Sequence, residues 1–139
     1  MIQARIDPAR ANNTLLMKYD PAPEIKQQVD ALIDILEMNY IVKDHVHCIR
    51  SYDAKTRAYA RIWGMAKLFQ DVLGLTPHYI IEVNDRMFKK LSEREQMKTL
   101  VHELMHIPKT FSGALLSHRG PHHAINDREV EKLLKARMK

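Results

Sequence analysis

The feature that most constrains the fold of this chain is an HExxH motif at residues 102–106. Residues four apart lie on one face of a helix, so His102 and His106 can offer two imidazoles to one metal ion. Glu103 lies about 100° further round the helix, beside the metal rather than on it. There it could take a proton from a metal-bound water and pass it to a leaving amine. The motif therefore predicts the chemistry of a zinc-dependent peptidase, with Glu103 as the general base.

The surrounding residues predict that the motif lies on a helix. Ser92 and Glu95 form a capping box, which marks the start of a helix just upstream. Pro108 ends the helix. Between them the apolar residues follow helical spacing, and they are Met97, Leu100, Val101, Leu104 and Met105.

Composition limits the class of protein. With 139 residues, 45% of them apolar and 28% charged, the chain is expected to form one soluble globular domain spanning residues 1–139, with residues 1–20 as an N-terminal arm. No apolar run approaches the ~20 residues of a membrane span, and no signal-peptide pattern is seen. A single cysteine, Cys48, excludes an internal disulfide. We therefore expect a cytoplasmic protein without membrane contact.

Periodicity predicts the other elements. A helix is expected from Glu24 to about Asn39, a strand near 46–50, a strand-like run at 57–63, a short helix at 65–73, a strand at 78–83 and a last helix from Asn126. The short helix is predicted to carry Leu68, Phe69, Val72 and Leu73 on one side and to end at Gly74. The fold class is α+β: a minimal zincin-like domain with an N-terminal helix, a small sheet of about three strands, the HExxH helix and a C-terminal helix. The strand at 78–83 is expected at the sheet edge, where a peptide substrate could add as one more strand.

A catalytic zinc ion needs a third protein ligand. Several downstream residues are candidates, in order of preference His118, then His122 or His123, then a carboxylate such as Glu129. The reaction would also need an extra hydrogen-bond donor for the oxyanion. The sequence does not fix which residue supplies it, and Arg119 and Tyr79 are candidates.

Two further histidines, His45 and His47, would both lie in the predicted strand if it covers residues 45–50. Residues two apart on a strand face the same side, so this pair could bind a second metal. Because Asp44 is adjacent, we favour an ordinary pair of exposed histidines over a second metal site.

The net charge of +5 bears on partners. Basic residues concentrate modestly at the C-terminus, at Arg128, Lys132, Lys135, Arg137 and Lys139. We favour a solvated helix face, although the same charge would allow weak association with nucleic acid. The alternatives to a peptidase are therefore a non-catalytic zinc-stabilised module that binds nucleic acid or a protein regulator, and a protease recruited to DNA-bound proteins. Glu103 argues against the first, because a structural site does not need it.

The run at 100–118, together with the blocks at 60–64 and 79–83, resembles the small metallopeptidase-like proteins found in archaea and phages. More distantly the chain is similar to the SprT-like metalloproteases. The resemblance covers roughly residues 40–135 and implies one Zn²⁺ ion held by His102, His106 and His118, with Glu103 as the base and a protein or peptide as substrate. In this chain Arg119 separates the third histidine from Gly120, and the His122–His123 pair is additional.

Overall fold

The computed structural model describes residues 18–138, and within them the chain forms five α-helices, one 3₁₀ turn and six strands. The helices are α1 (Pro23–Ile35), α2 (Lys67–Leu73), α3 (Asp85–Phe88), α4 (Glu93–Met105) and α5 (Asp127–Arg137). The strands are β1 (Tyr19–Pro21), β2 (Val46–Ser51), β3 (Ala60–Trp63), β4 (Tyr79–Asn84), β5 (Arg119–Gly120) and β6 (His123–Ala124). This confirms the α+β class. None of the described helices has the length and apolar character needed to cross a membrane.

The main sheet has four strands in the order β1-β2-β4-β3. β2 and β4 run parallel, whereas the outer strands β1 and β3 are antiparallel to their neighbours. β1 falls at the end of the predicted arm, the rest of which (1–17) lies outside the described residues. The three residues of β1 are all exposed. They therefore lack the alternation of apolar and polar positions that predicts a strand.

The strand predicted at 78–83 is β4, but the prediction that it forms the free edge is wrong. β4 lies between β2 and β3. Tyr79, Ile81 and Val83 are fully buried, and Glu82 on the opposite face is 1% exposed. Such a nearly continuous buried run is typical of a central strand. Among the described residues, the edge strand beside the HExxH helix is β3.

The core lies on one face of the sheet. α1 packs against β2 and α4, and α4 also packs against β3 and α5. Both predicted helix caps are confirmed, because Ser92 Oγ accepts from the Glu95 N–H at 3.2 Å and Asn126 Oδ1 accepts from the Glu129 N–H at 2.9 Å. α4 is therefore held between the sheet and α5 with its start fixed.

The four apolar residues that were predicted to share one side of α2 do not pack against the core, since each of them is at least 60% exposed. The buried residue of this helix is Gln70, whose side-chain amide donates to the carbonyl of Met65 at 2.9 Å and to that of Ser112 at 2.8 Å. A polar anchor thus sets the orientation of this seven-residue helix. The predicted stop at Gly74 is confirmed, with the left-handed φ of 65° that glycine adopts readily.

Candidate metal centre

Three imidazoles converge at the C-terminal end of α4. His102 and His106 come from successive turns of the helix, and His118 comes from the loop that follows it. One nitrogen from each ring lies within 4.8 Å of the other two, and the Nε2 atoms of His102 and His118 are 3.2 Å apart. Two ligands of a tetrahedral ion with metal–nitrogen bonds of 2.0–2.1 Å would be about 3.3–3.4 Å apart. The donor set and its spacing therefore fit a divalent transition-metal ion.

The structure does not bring the other candidate third ligands into this cluster. His123 Nε2 is 2.9 Å from the carbonyl oxygen of Ser117, and His122 is exposed in the turn between β5 and β6. Glu129 lies in the first turn of α5. Among the described residues, His118 is the candidate that meets His102 and His106.

Backbone contacts explain how the loop returns His118 to the helix. The Leu116 N–H donates to the His106 carbonyl at 2.8 Å, and His106 Nδ1 lies 2.6 Å from the Leu116 carbonyl oxygen. Since a carbonyl oxygen only accepts, this nitrogen carries the proton, which leaves Nε2 of His106 as the free ligand atom. Such a partner on the second nitrogen is usual for a metal-binding histidine.

Tyr79 anchors the middle of the same loop. Its hydroxyl accepts from the Gly113 N–H and donates to the Ala114 carbonyl, both at 2.8 Å. Gly113 has a φ of 92°, a conformation that favours glycine. Because this hydroxyl is buried and already bonded on both sides, Tyr79 is a loop anchor and not the oxyanion donor we considered. The other candidate donor, Arg119, is exposed and is not among the residues that line the cleft.

The imidazoles of His102 and His106 are held in the neutral form that can bind a metal. Burial, together with the neighbouring His106 and His118, lowers the pKa of His102 to about 4. Burial also lowers the pKa of His106, although its bond to the Leu116 carbonyl acts in the opposite direction. A metal ligand must offer a lone pair, so these protonation states suit the proposed role.

Glu103 is the buried carboxyl group beside the cluster. It is 8% exposed, and its Oε2 lies 4.0 Å from His102 Nε2. Burial raises the pKa of this carboxyl to about 7. A pKa close to neutral suits a group that must both accept and release a proton.

The cluster opens into a cleft of about 900 Å³. β3 with the residues just before it forms one wall, and α4, the loop at 115–118 and α5 form the others. On the helical side Lys98 is paired with Asp127 at 2.5 Å and with Glu131 at 3.0 Å, which ties α4 to α5. This volume suits a small ligand or a few residues of an extended chain.

The register of β3 shows which of its backbone groups are free. The Asn84 N–H donates to the Tyr59 carbonyl at 2.9 Å, so these residues form a hydrogen-bonded antiparallel pair. Bonded and non-bonded pairs alternate along such a ladder. Ala60 and Ile62 therefore occupy non-bonded positions, and their N–H and C=O groups point away from β4, toward the open side of the sheet.

A buried carboxylate fixes β3 in place. Glu82 accepts hydrogen bonds from Ser51 Oγ at 2.6 Å, Trp63 Nε1 at 2.9 Å and the Arg61 guanidinium at 3.0 Å. Burial alone would raise the pKa of Glu82, but these hydrogen bonds outweigh it and lower the pKa. The edge strand is thus held by side chains as well as by its ladder. The role of Glu82 was not predictable, because nothing in the local sequence pattern pairs this residue with residues about twenty to thirty positions earlier.

A short α+β domain with three histidines and a buried glutamate in an open cleft has the features of a metal-dependent hydrolase. A family model described as "Putative phage metallopeptidase" matches residues 17–136. The chain therefore belongs to this metallopeptidase family. No curated protein and no solved structure matches the chain.

Proposed function

We propose that the chain is a zinc-dependent metallopeptidase that hydrolyses peptide bonds of a protein or peptide substrate. The observation that carries the proposal is the placement of three imidazoles and the buried Glu103 in a cleft bounded by a strand edge. His102, His106 and His118 would hold one Zn²⁺ ion. Three histidine ligands with a fourth position left open are typical of catalytic zinc.

The chain's own residues supply the remaining parts of the reaction. When bound, zinc would activate a water molecule and polarise the scissile carbonyl. Glu103 would take the proton from the attacking water and deliver it to the leaving amine. Its burial keeps this carboxyl group away from bulk water and raises its pKa, which favours transfer in both directions.

The free edge of β3 offers a way to bind the substrate. An extended peptide could pair with the outward N–H and C=O groups of Ala60 and Ile62, as one more strand of the sheet. Main-chain pairing of this kind binds many sequences, so side-chain preference would depend on cleft residues such as Trp63 and Leu115. This corrects the predicted substrate strand from residues 78–83 to β3.

Glu103→Gln tests the proposal. The amide is nearly the same size but cannot accept the proton, so we expect cleavage to fall by 10²-fold or more with zinc retained. Peptide cleavage would be followed by mass spectrometry on a mixed peptide library, and zinc by elemental analysis of the same samples. Glu93→Gln is the matched control, because Glu93 is exposed in the first turn of the same helix.

Two outcomes would contradict the proposal. Equal cleavage by wild type and Glu103→Gln would remove Glu103 from the reaction. Absence of zinc-dependent cleavage in the wild type, with zinc bound, would favour the non-catalytic zinc module.

Recruitment to DNA-bound proteins is a further proposal that concerns partners. Arg128, Lys132 and Lys135 are exposed along α5, whereas Lys98 on the neighbouring helix is paired with acidic residues. Fluorescence anisotropy with a labelled DNA duplex at rising salt would test it, because phosphate contacts weaken steeply with salt. We also propose that the protein acts in the cytoplasm, as its single cysteine suggests.

A further inference from the structure

The two ends of the cleft differ in chemistry. Toward the start of α4 the cleft is lined by the charged side chains of Glu95, Lys98 and Asp127. Toward the end of α4 it is lined by two large apolar side chains, Trp63 and Leu115, which are 48% and 42% exposed. A cleft with one charged and one apolar end can distinguish between the side chains of a bound peptide.

Backbone contacts place Trp63 at the end of the cleft that holds the three imidazoles. The next residue, Gly64, packs so closely on the loop after α4 that a Cβ added to it would lie 3.3 Å from Leu115 Cγ. The same loop continues to Leu116, whose N–H donates to the His106 carbonyl at 2.8 Å. The end of β3 that carries Trp63 is therefore the end nearest the candidate metal centre.

The side chain of Trp63 is held in a fixed orientation. Its Nε1 donates to Glu82 Oε1 at 2.9 Å, and Glu82 is 1% exposed. The Arg61 guanidinium lies 5.0 Å from the centroid of the indole ring and is itself bonded to Glu82. Because the ring is already held, packing of a ligand against its exposed part costs little conformational entropy.

The ladder of β3 determines which side chain of a bound peptide would meet Trp63. An added strand would hydrogen-bond to the outward groups of Ala60 and Ile62. The peptide residue opposite Trp63 would then occupy a non-hydrogen-bonded position, where facing side chains come closest. Its side chain would lie on the same face of the sheet as the indole, and apolar or aromatic pairs of this kind are stabilising.

We propose that Trp63 is a specificity-determining residue, and that the substrates are extended peptides with a large apolar side chain, above all an aromatic one, opposite it. This inference rests on the proposed peptidase function, because it assigns the substrate class of the same cleft. An aromatic side chain gains most, since it buries a large area and can pair edge-to-face with the indole. A charged side chain would lose hydration without gaining a partner, because Arg61 is already paired with Glu82.

A series of peptides tests the preference. All have one alanine- and serine-rich sequence in which a single Phe, Leu, Ala or Asp is moved along the length. We expect kcat/KM to be about tenfold higher for the Phe peptides than for the Ala peptides. Mass spectrometry of the products should show cleavage at one fixed distance from the Phe residue.

Variants of the indole show whether it causes this ratio. Trp63→Ala should reduce the ratio of Phe to Ala peptides to near one, whereas Trp63→Phe should keep most of it because an aromatic ring remains. A general loss of stability would slow the cleavage of all peptides alike, so the ratio isolates the contact. Tyr52→Ala is the matched control, because Tyr52 is an exposed aromatic residue that does not line the cleft.

Binding without cleavage separates this inference from the proposed activity. Trp63 is the single tryptophan of the chain, so its fluorescence reports the contact directly. In zinc-loaded Glu103→Gln, Phe peptides should shift the emission to shorter wavelength and protect the indole from quenching by acrylamide. Ala peptides should do neither.

Equal cleavage of Phe and Ala peptides, or a ratio that Trp63→Ala leaves unchanged, would overturn the preference and leave the peptidase function intact. If the wild type cleaves no peptide, the peptidase function fails, and the fluorescence decides the preference. An emission shift with Phe peptides alone would then support it, and the absence of a shift with every peptide would overturn it.

Discussion

The two groups of three histidines in this molecule differ in the structure that holds them. In the cleft, one helix supplies His102 and His106, and an anchored loop supplies His118. At the start of the central strands, His47 and His78 are neighbours only because β2 and β4 pair in parallel register. The first arrangement depends on local helical spacing and one loop, and the second on sheet pairing over 31 residues.

The relative orientation of the rings gives the two groups different capacities. In the cleft His106 meets His102 at 60° and His118 at 83°, so the three nitrogens can converge on one point. The strand group consists of His45, His47 and His78, and its rings are nearly parallel, at 17° and 21°. His47 Nε2 and His78 Nδ1 face each other at 2.8 Å, so their nitrogens do not converge on a third point. The cleft group also has a buried carboxyl, Glu103, beside it. The same residue type thus suits metal-dependent hydrolysis in one place and ring stacking with hydrogen bonding in the other.

Among the changes considered, removal of the His118 imidazole should have the largest effect on the difference in metal binding between the two groups of histidines. His118→Ala should weaken zinc binding by more than about 100-fold, because the site would lose one of its three proposed protein ligands. Zinc per chain, measured by elemental analysis after dialysis, should fall from one to nearly none. His78→Ala and His122→Ala should keep the full amount. Retention of zinc by His118→Ala would move the third ligand to His122, His123 or Glu129.

The carboxyl that distinguishes the cleft should make the stability of the metal-free protein depend on pH. Its pKa is about 7 in the folded protein, above the ordinary value of 4.5, so the folded state favours the protonated form. The resulting stabilisation is fully present below pH 4.5 and is lost as the pH rises through 7. Glu103→Gln should therefore increase the free energy of unfolding at pH 8 by on the order of 3 kcal/mol, and change it little at pH 5.

Urea unfolding of the two metal-free proteins at both pH values would check this expectation. Glu93→Gln, an exposed change in the same helix, should have little effect at either pH. A gain from Glu103→Gln that is equal at pH 5 and pH 8 would show that burial of the charge is not its cause.

Local patterns predicted the parts of the site that depend on local structure. Helical spacing was sufficient for His102 and His106, and turn residues were sufficient for the caps at Ser92 and Asn126. His118 could only be ranked among candidates, because its return depends on the contact between Tyr79 and Gly113, 34 residues apart. Strand order was not predictable for the same reason.

Apolar spacing misled at α2. Leu68 and its neighbours have the periodicity of a packed face, but the helix is oriented by the long-range bond from Gln70 to Ser112. His45 and His47 were predicted to be an ordinary exposed pair, and the contact of both rings with His78 was not predicted, since nothing near His47 in the sequence points to His78. Only the register of β2 and β4 brings those two rings together.

Loosening the loop should affect the cleft group and spare the strand group, with a smaller effect than ligand removal. Tyr79→Phe removes the hydroxyl that bonds Gly113 and Ala114, which leaves two backbone groups without this partner. We expect a loss of stability of about 2 kcal/mol and about tenfold weaker zinc binding. The hydrogen bond between His47 and His78 should not change, although Tyr79 is the next residue after His78. Zinc binding equal to that of the wild type would show that the Tyr79 hydroxyl does not help to position His118.

The smallest expected effect concerns the free strand edge, which only the cleft group has beside it. Ala60→Pro removes an outward N–H at the first residue of β3, a position where proline is tolerated in a strand, and leaves the ladder with β4 intact. Loss of one main-chain hydrogen bond to a peptide costs about 1 kcal/mol, so we expect KM to rise by about five- to tenfold with kcat nearly unchanged. Ala60→Ser keeps the N–H and is the matched control. A lower kcat with an unchanged KM would instead mean that β3 shapes the reacting centre and does not bind the substrate backbone.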